Sequence, residues 1–76
     1  MSSEEFGNIK IGDKFIFNLN KNIIVTVIFT SFKTVNYGGE DLEYPTHHIL
    51  MWFNSLNETQ QICMYLTNAI LFTKVE

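Results

Sequence analysis

The chain of 76 residues lacks arginine altogether and contains one cysteine, one proline and no long apolar run. Arginine most often reads guanine and clamps phosphates, so its absence and the net charge of −3 disfavour nucleic-acid binding. Cys63 is alone and cannot form an internal disulfide, which favours a reducing, cytoplasmic location. The apolar runs are too short to span a bilayer, and residues 1–8 lack the pattern of a secretory signal. We therefore expect no membrane segment and no export by that route.

Motifs that carry catalysis or bind metals are also missing. The chain has no Gly-x-Ser-x-Gly elbow, no phosphate-binding loop and no dinucleotide fingerprint. The acid–base candidates, His47 and His48, are adjacent and must point to opposite faces of a strand. Together with Cys63 they do not supply the repeated spacing of a zinc site. We predict that the protein is not an enzyme and has no catalytic residue, metal or cofactor.

Hydrophobic and aromatic residues are abundant, at 46% and 14% of the chain, and they predict one folded domain. A domain of this length buries only about 60% of its unfolded surface, so oligomerisation is an expected source of extra stability.

The most informative stretch is residues 22–33, NIIVTVIFTSFK, which is apolar on both alternating faces. One face, assigned to the core, consists of Ile23, Val25, Val27 and Phe29. The other face keeps a surplus row of Ile24, Ile28 and Phe32. Contiguous exposed apolar groups are typical of interaction sites, so this row is a candidate partner surface. The open alternative is that a loop of the same chain covers it.

The remaining patterns predict four further strands. Gly12-Asp13 indicates a turn before a strand at residues 14–18, which pairs with the long strand as a hairpin. A third strand is predicted at residues 46–54, and a last one at residues 71–75. Between them, residues 59–66 alternate as a strand followed by a short helical turn. The alternative is a helix at about 56–69, because Ser55 and Glu58 have capping-box spacing.

Residues 34–45 form the one long irregular segment, interpreted as a mobile loop or an extended hairpin arm. Gly38-Gly39 is a hairpin signal, and an acidic tip consists of Glu40, Asp41 and Glu43. These acids lack the spacing of a calcium-binding loop, so a solvated acidic loop is the interpretation. Tyr37 and Tyr44 flank the segment, and with Trp52 they are the aromatic candidates for partner binding.

The order of these elements resembles small SH3-like barrels. The resemblance rests on Gly12-Asp13 before the first strand, Trp52-Phe53 ending the third, and a helical turn before the last strand. It is similar to short bacterial and phage proteins with the same Gly-Asp and Trp-Phe dipeptides. The resemblance covers residues 9–75 and implies a binding scaffold, because SH3-like barrels mostly bind peptides, proteins or nucleic acids. Fold alone does not fix function.

The expected fold is all-β and mainly antiparallel, a single five-stranded SH3-like barrel or curved meander sheet. A short flexible leader at residues 1–8 precedes one domain at residues 9–76. The leading function hypothesis is a non-enzymatic protein–protein interaction module that self-associates, with a dimer as the first guess. The absence of arginine and the abundance of Ile, Asn, Phe and Lys also suit an AT-rich genome, as in many phages and some bacteria. If the origin is a phage, such a protein would inhibit a host enzyme or defence complex. The alternatives are an oligomer that sequesters a nucleotide-like small molecule, and a weak nucleic-acid-binding barrel that gathers its scattered lysines.

Overall fold

A computed structural model describes residues 1–75, and all of its strands belong to one antiparallel sheet. The elements, in chain order, are helix α1 (Ser3–Gly7), strands β1 (Lys14–Phe17), β2 (Ile24–Tyr37), β3 (Glu40–Phe53) and β4 (Thr59–Met64), a 3-10 helix (Leu66–Leu71) and strand β5 (Phe72–Lys74). No helix within residues 1–75 is both long enough and apolar enough to cross a membrane.

The sheet is an open meander with strand order β4-β3-β2-β1-β5. Strands β1 to β4 pair consecutively, and the 3-10 helix carries the chain back so that β5 pairs with β1. Since β4 and β5 are the two ends of this order, the sheet is not closed. The all-β prediction, with a helical turn before the last strand, is confirmed in the form of an open sheet.

The alternative of a helix at about 56–69 is wrong, and a local side-chain competition explains why. The Asn54 side chain accepts hydrogen bonds from the backbone N–H groups of Leu56 and Glu58, at 3.0 and 2.9 Å. Asn57 adopts a left-handed backbone at φ 61°. Asparagine favours such turns because its amide replaces the bonds that a helix would make. The chain therefore turns at residues 54–58 and continues as β4.

The core lies on one face of the sheet, under α1 and the 3-10 helix. It consists of Phe6, Ile9, Phe15, Val25, Val27, Leu50, Met64, Ala69 and Phe72. The prediction that Val25 and Val27 face the core is confirmed, and Phe15 of β1 is buried beside them. Phe17 and Ile23 are only partly buried and pack against its edge.

The first eight residues differ from the flexible leader that the sequence predicts. Residues Ser3–Gly7 form α1, and Phe6 buries its ring in the core. The Ser2 side chain caps the helix by accepting a hydrogen bond from the backbone N–H of Glu5 at 3.1 Å. This Ser-x-x-Glu spacing is a helix-start signal. A helix this short needs tertiary contacts, which Phe6 supplies.

A bulge at Ile28 changes which face of β2 points to the core. Val27 pairs with Leu50, but the next paired residues are Phe29 and Ile49, so Ile28 is an extra residue on β2. An inserted residue reverses the alternation of side chains that follow it. The prediction that Phe29 belongs to the core is therefore wrong, because its ring is 50% exposed on the opposite face.

Candidate interaction surface

The face of the sheet opposite the core, called here the outer face, carries an apolar strip. Cross-strand pairing joins Ile16 to Ile24 and Phe29 to Ile49 on this face. Ile24 is 53% exposed and Phe29 is 50% exposed. The strip as a whole consists of Ile16, Ile24, Phe29, Ile49, Met51, Phe53 and Cys63. Both described helices pack on the core side, so no helix in residues 1–75 covers it.

Residues 29–47 form a second distinctive feature, a two-stranded arm. Strand β1 pairs with β2 only over residues 24–26, and β4 pairs with β3 only from His48 onward. Beyond these points β2 and β3 pair with each other alone as far as Tyr37 and Glu40. The molecule consequently measures 50 Å along one axis and 21 and 20 Å along the others. Of the two interpretations of residues 34–45, the hairpin arm is the one observed.

The turn at the tip of the arm explains why these residues fold as a hairpin. Gly38 and Gly39 both have positive φ, at 59° and 91°. These angles fit a two-residue type I′ turn, whose twist matches that of the flanking strands. Asn36 supports the turn by accepting a hydrogen bond from Gly39 N–H at 3.4 Å and donating one to Asp41 at 3.1 Å.

The two edges of the arm differ in chemistry. The β3 edge carries Glu40, Asp41 and Glu43, and Pro45 lacks an N–H for pairing. Acidic residues and proline protect a strand edge against pairing with another strand. The β2 edge, residues 29–37, has no proline. Lys33 is the one charge along the β2 edge, so the β3 edge, with three acids and a proline, is the better protected of the two.

His48 joins the arm to the body of the molecule. Its ring is fully buried, with Nδ1 2.9 Å from Thr30 Oγ1 and Nε2 2.9 Å from the Phe6 carbonyl oxygen. Because a carbonyl only accepts, Nε2 carries the proton, and in the neutral ring Nδ1 accepts from the Thr30 hydroxyl. Burial lowers the pKa of His48 below its usual 6.5, opposed by the hydrogen bond to Phe6. His48 is thus a satisfied core residue that fastens α1 to β3.

The other predicted partner-binding residues lie in three separate places. Ile24 belongs to the outer face, Ile28 occupies the bulge at 38% exposure, and Phe32 lies on the arm at 52% exposure. The bulge therefore divides the row that the sequence predicts as continuous. Tyr37 and Tyr44 are exposed on the arm.

Trp52 lies apart from these residues, on the core side of β3. It packs against the core with Ile62 and Phe17. Its indole also borders a shallow cleft of about 410 Å³ lined by Asn20, Asn22, Ile23, Phe53, Asn54 and Ser55. The amides of Asn20 and Asn54 accept backbone hydrogen bonds in their own turns. The cleft is therefore built from turn residues around one aromatic side wall.

The residues considered for chemistry do not converge. His47 lies on the outer face, with its ring 5.5 Å from that of Tyr65, whereas His48 is buried on the core side. Cys63 is half-buried in β4 opposite Ile49. Within residues 1–75, no three His, Cys, Asp or Glu side chains are grouped so that they could hold a metal ion.

Comparison with known proteins gives no relatives on which to base a function. No family model, no curated protein and no solved structure matches the chain.

Proposed function

We propose that this protein is a non-enzymatic protein–protein interaction module that self-associates. The observation that carries the proposal is the arm, which extends beyond the core with apolar side chains on its surface. Isolated two-stranded hairpins are only marginally stable in water, and further strands or packing add the missing stability. Exposed apolar residues on the arm are Phe29, Phe32, Tyr37, Leu42 and Tyr44.

The outer face supports the same proposal. Its apolar strip begins at Ile16 and Ile24 in the body and reaches Phe29 at the base of the arm. Burying one large apolar side chain contributes about 1.5–3 kcal/mol. Covering even part of the strip would therefore add to the limited stability that the small core of the domain provides. The strip reaches the base of the arm at Phe29, so a partner that covers the outer face also contacts the arm.

Light scattering coupled to size-exclusion chromatography tests the self-association. The expected result is a mass that rises from monomer toward dimer with protein concentration. Phe29→Asp, at the junction of strip and arm, should shift the transition to higher concentration, because a charge would be buried at the contact. Leu56→Asp is the matched control, since Leu56 is 77% exposed in a turn of the body and should not affect association. A folded chain that stays monomeric at all concentrations would contradict the proposal.

The cleft beside Trp52 favours a second candidate function, the binding of a small molecule with a flat ring. The Trp52 indole suits stacking of a flat ring, and the side-chain NH2 groups of Asn20 and Asn22 add hydrogen-bond donors beside it. Thermal unfolding with a panel of nucleotides and nucleosides checks this, because a ligand that binds the folded state raises the midpoint. An increase that disappears in Trp52→Leu would support the candidate, and unchanged midpoints across the panel would exclude these ligands.

A further inference from the structure

The less protected edge of the arm, that of β2, suggests how two copies of this chain come together, given the self-association proposed above. The backbone groups that face this edge follow from two contacts. The Ser31 carbonyl accepts a hydrogen bond from Thr46 Oγ1 at 3.2 Å, so it faces β3. Successive residues of a strand direct their N–H and C=O groups to opposite sides. The backbone groups of Thr30, Phe32 and Thr34 therefore face away from β3, along the free edge.

The same alternation is visible before the bulge. Val27 N–H donates to the Asp13 carbonyl at 2.9 Å, and Gly12 N–H donates to the Val27 carbonyl at 2.8 Å. These bonds occupy the edge of β2 on the side of β1. Beyond the bulge the edge continues without a described backbone partner, so a strand added there has to begin at about Phe29.

Self-pairing of this edge is antiparallel under a two-fold axis, and an axis at any residue places side chains of the same face opposite one another. The axes nearest the middle of residues 29–37 are at Phe32, Lys33 and Thr34. With the axis at Phe32, Phe32 pairs with its copy, Phe29 with Val35 and Thr30 with Thr34. Aromatic–aromatic, aromatic–β-branched and Thr–Thr pairs are all favourable across strands. With the axis at Lys33, two lysines oppose each other, which is unfavourable. With the axis at Thr34, Phe29 loses its cross-strand partner.

The register centred on Phe32 also matches the backbone groups along the two edges. It matches the outward groups of Thr30, Phe32 and Thr34 with those of Thr34, Phe32 and Thr30 in the second copy. Antiparallel pairing overlaps the two arms and leaves the two bodies at opposite ends. Asn36 and Tyr37 of each copy then have to bend away from Ile28 and Val27 of the other copy, because Gly12 and Asp13 already bond the Val27 backbone. The β3 edges, with their acids and Pro45, become the outer edges of the combined ribbon.

We infer that two copies of this chain pair antiparallel along residues 29–35 of β2, about a two-fold axis at Phe32, to form a four-stranded ribbon of order β3-β2-β2-β3. The occupant of the free edge is a second copy because the seven-residue sequence FTSFKTV is complementary to itself in this register.

Disulfide trapping tests the register in a Cys63→Ser background, which removes the native thiol. Opposed residues of an antiparallel hydrogen-bonded pair have Cα atoms about 5.5 Å apart, within the range that a disulfide spans. Phe32→Cys should therefore form a covalent dimer under mild oxidation. Thr30→Cys and Thr34→Cys should cross-link when mixed but not when each is oxidised alone. This mixed pair keeps Phe32, so it remains informative if Phe32→Cys weakens association. Lys33→Cys reports the competing register.

The outcomes separate this inference from the proposed function. Cross-linking of Phe32→Cys, or of the mixed Thr30 and Thr34 variants alone, on folded protein supports the register. A dimer by light scattering in which neither forms a cross-link overturns the edge pairing while self-association stands. Efficient cross-linking of Lys33→Cys with none for the mixed pair overturns the register. A strict monomer overturns both the inference and the proposed function. Circular dichroism of each reduced variant establishes that it is folded.

Discussion

The body and the arm are built from the same two strands but are stabilised differently. In the body, every second side chain of β2 and β3 points into the core. Val25 and Leu50 are almost completely excluded from solvent there, together with Phe15 of β1. In the arm, the same strands pair only with each other, and stability depends on the turn and on cross-strand pairs such as Val35 with Leu42. Strand-forming sequence alone does not reveal which part has a core. A long strand can therefore be buried along one part of its length and exposed along the rest.

The largest expected difference between body and arm concerns the loss of an aromatic ring. Phe15→Ala should reduce the free energy of unfolding by about 3–5 kcal/mol, because it opens a cavity in the core. Phe32→Ala, measured where the protein is dilute enough to be monomeric, should cost about 1 kcal/mol or less, within the range of strand propensities. Urea denaturation followed by circular dichroism measures both. Equal losses would mean that the arm is as well packed as the body.

The next effect concerns His48, at the junction of the two regions. His48→Gln should cost about 1–3 kcal/mol, because it breaks the buried contacts with Thr30 and Phe6. It should also remove a dependence on pH. Burial lowers the pKa of His48, so between that pKa and 6.5 the unfolded chain binds more protons than the folded one. The stability contributed by the neutral ring is complete above 6.5 and is lost as the pH falls through the lowered pKa.

Urea titrations at a series of pH values check this dependence. The wild-type protein should lose stability below pH 6.5, and His48→Gln should lose less over the same range. His47→Gln is the matched control, because His47 is only half-buried on the outer face. A wild-type profile that matches His48→Gln would contradict the assignment.

Two glycines provide a smaller and more direct comparison. Gly12 in the body and Gly39 at the arm tip have φ of 97° and 91°, and an added Cβ would meet nothing within 4 Å at either position. Alanine should therefore introduce backbone strain alone, about 1–2 kcal/mol. For Gly12→Ala, the free energy of global unfolding should fall by the full strain energy. For Gly39→Ala, local opening of the arm should relieve the strain.

Hydrogen exchange distinguishes the two variants. Gly39→Ala should speed amide exchange in residues 33–44 while the body keeps its protection, since weakly packed regions open locally. If Gly39→Ala lowers global stability as much as Gly12→Ala, the arm and body unfold as one unit.

The smallest effect is expected at a surface ion pair of the body. Lys74 Nζ lies 3.7 Å from Asp13 Oδ2, and the Lys74 side chain is 55% exposed. Lys74→Gln should cost about 0–1 kcal/mol, and the difference should shrink in 1 M salt. Lys33→Gln in the arm is the matched comparison, because Lys33 lies opposite Tyr44 and not an acid. Its effect on monomer stability should be smaller still.

Much of the fold follows from patterns that the sequence displays openly. Alternation identifies all five strands, Gly12 and the Gly38-Gly39 pair identify turns, and the 3-10 helix falls where a helical turn is expected. Helix α1 was not predicted, although Ser2 and Glu5 have the spacing of a capping box. Its stability depends on burial of Phe6 and on the bond from His48, which are contacts distant in sequence. Short helices with such dependence carry little local signal.

The surface was harder to predict than the strands. Alternation along an uninterrupted strand predicts that Ile24, Ile28 and Phe32 share one face. The bulge separates them, and no glycine or other local signal marks it at Ile28. Trp52 is a candidate for partner binding from its sequence, yet it packs beside the core, because Leu50 and His48 set the inward alternation of β3. The bulge at Ile28 and the buried His48 therefore account for most of the difference between the predicted and the observed surface.

The bulge at Ile28 has a consequence for how this sequence can change over evolutionary time. Before it, the odd-numbered positions of β2 face the core, and after it the even-numbered ones point to that side. Insertion or deletion of one residue in the arm would leave the body intact, whereas the loss of Ile28 itself would exchange the two faces of everything beyond it. Divergent copies should therefore retain one extra residue at this position. In an alignment of such copies, the apolar positions that lie on the core side should be odd-numbered before the bulge and even-numbered after it.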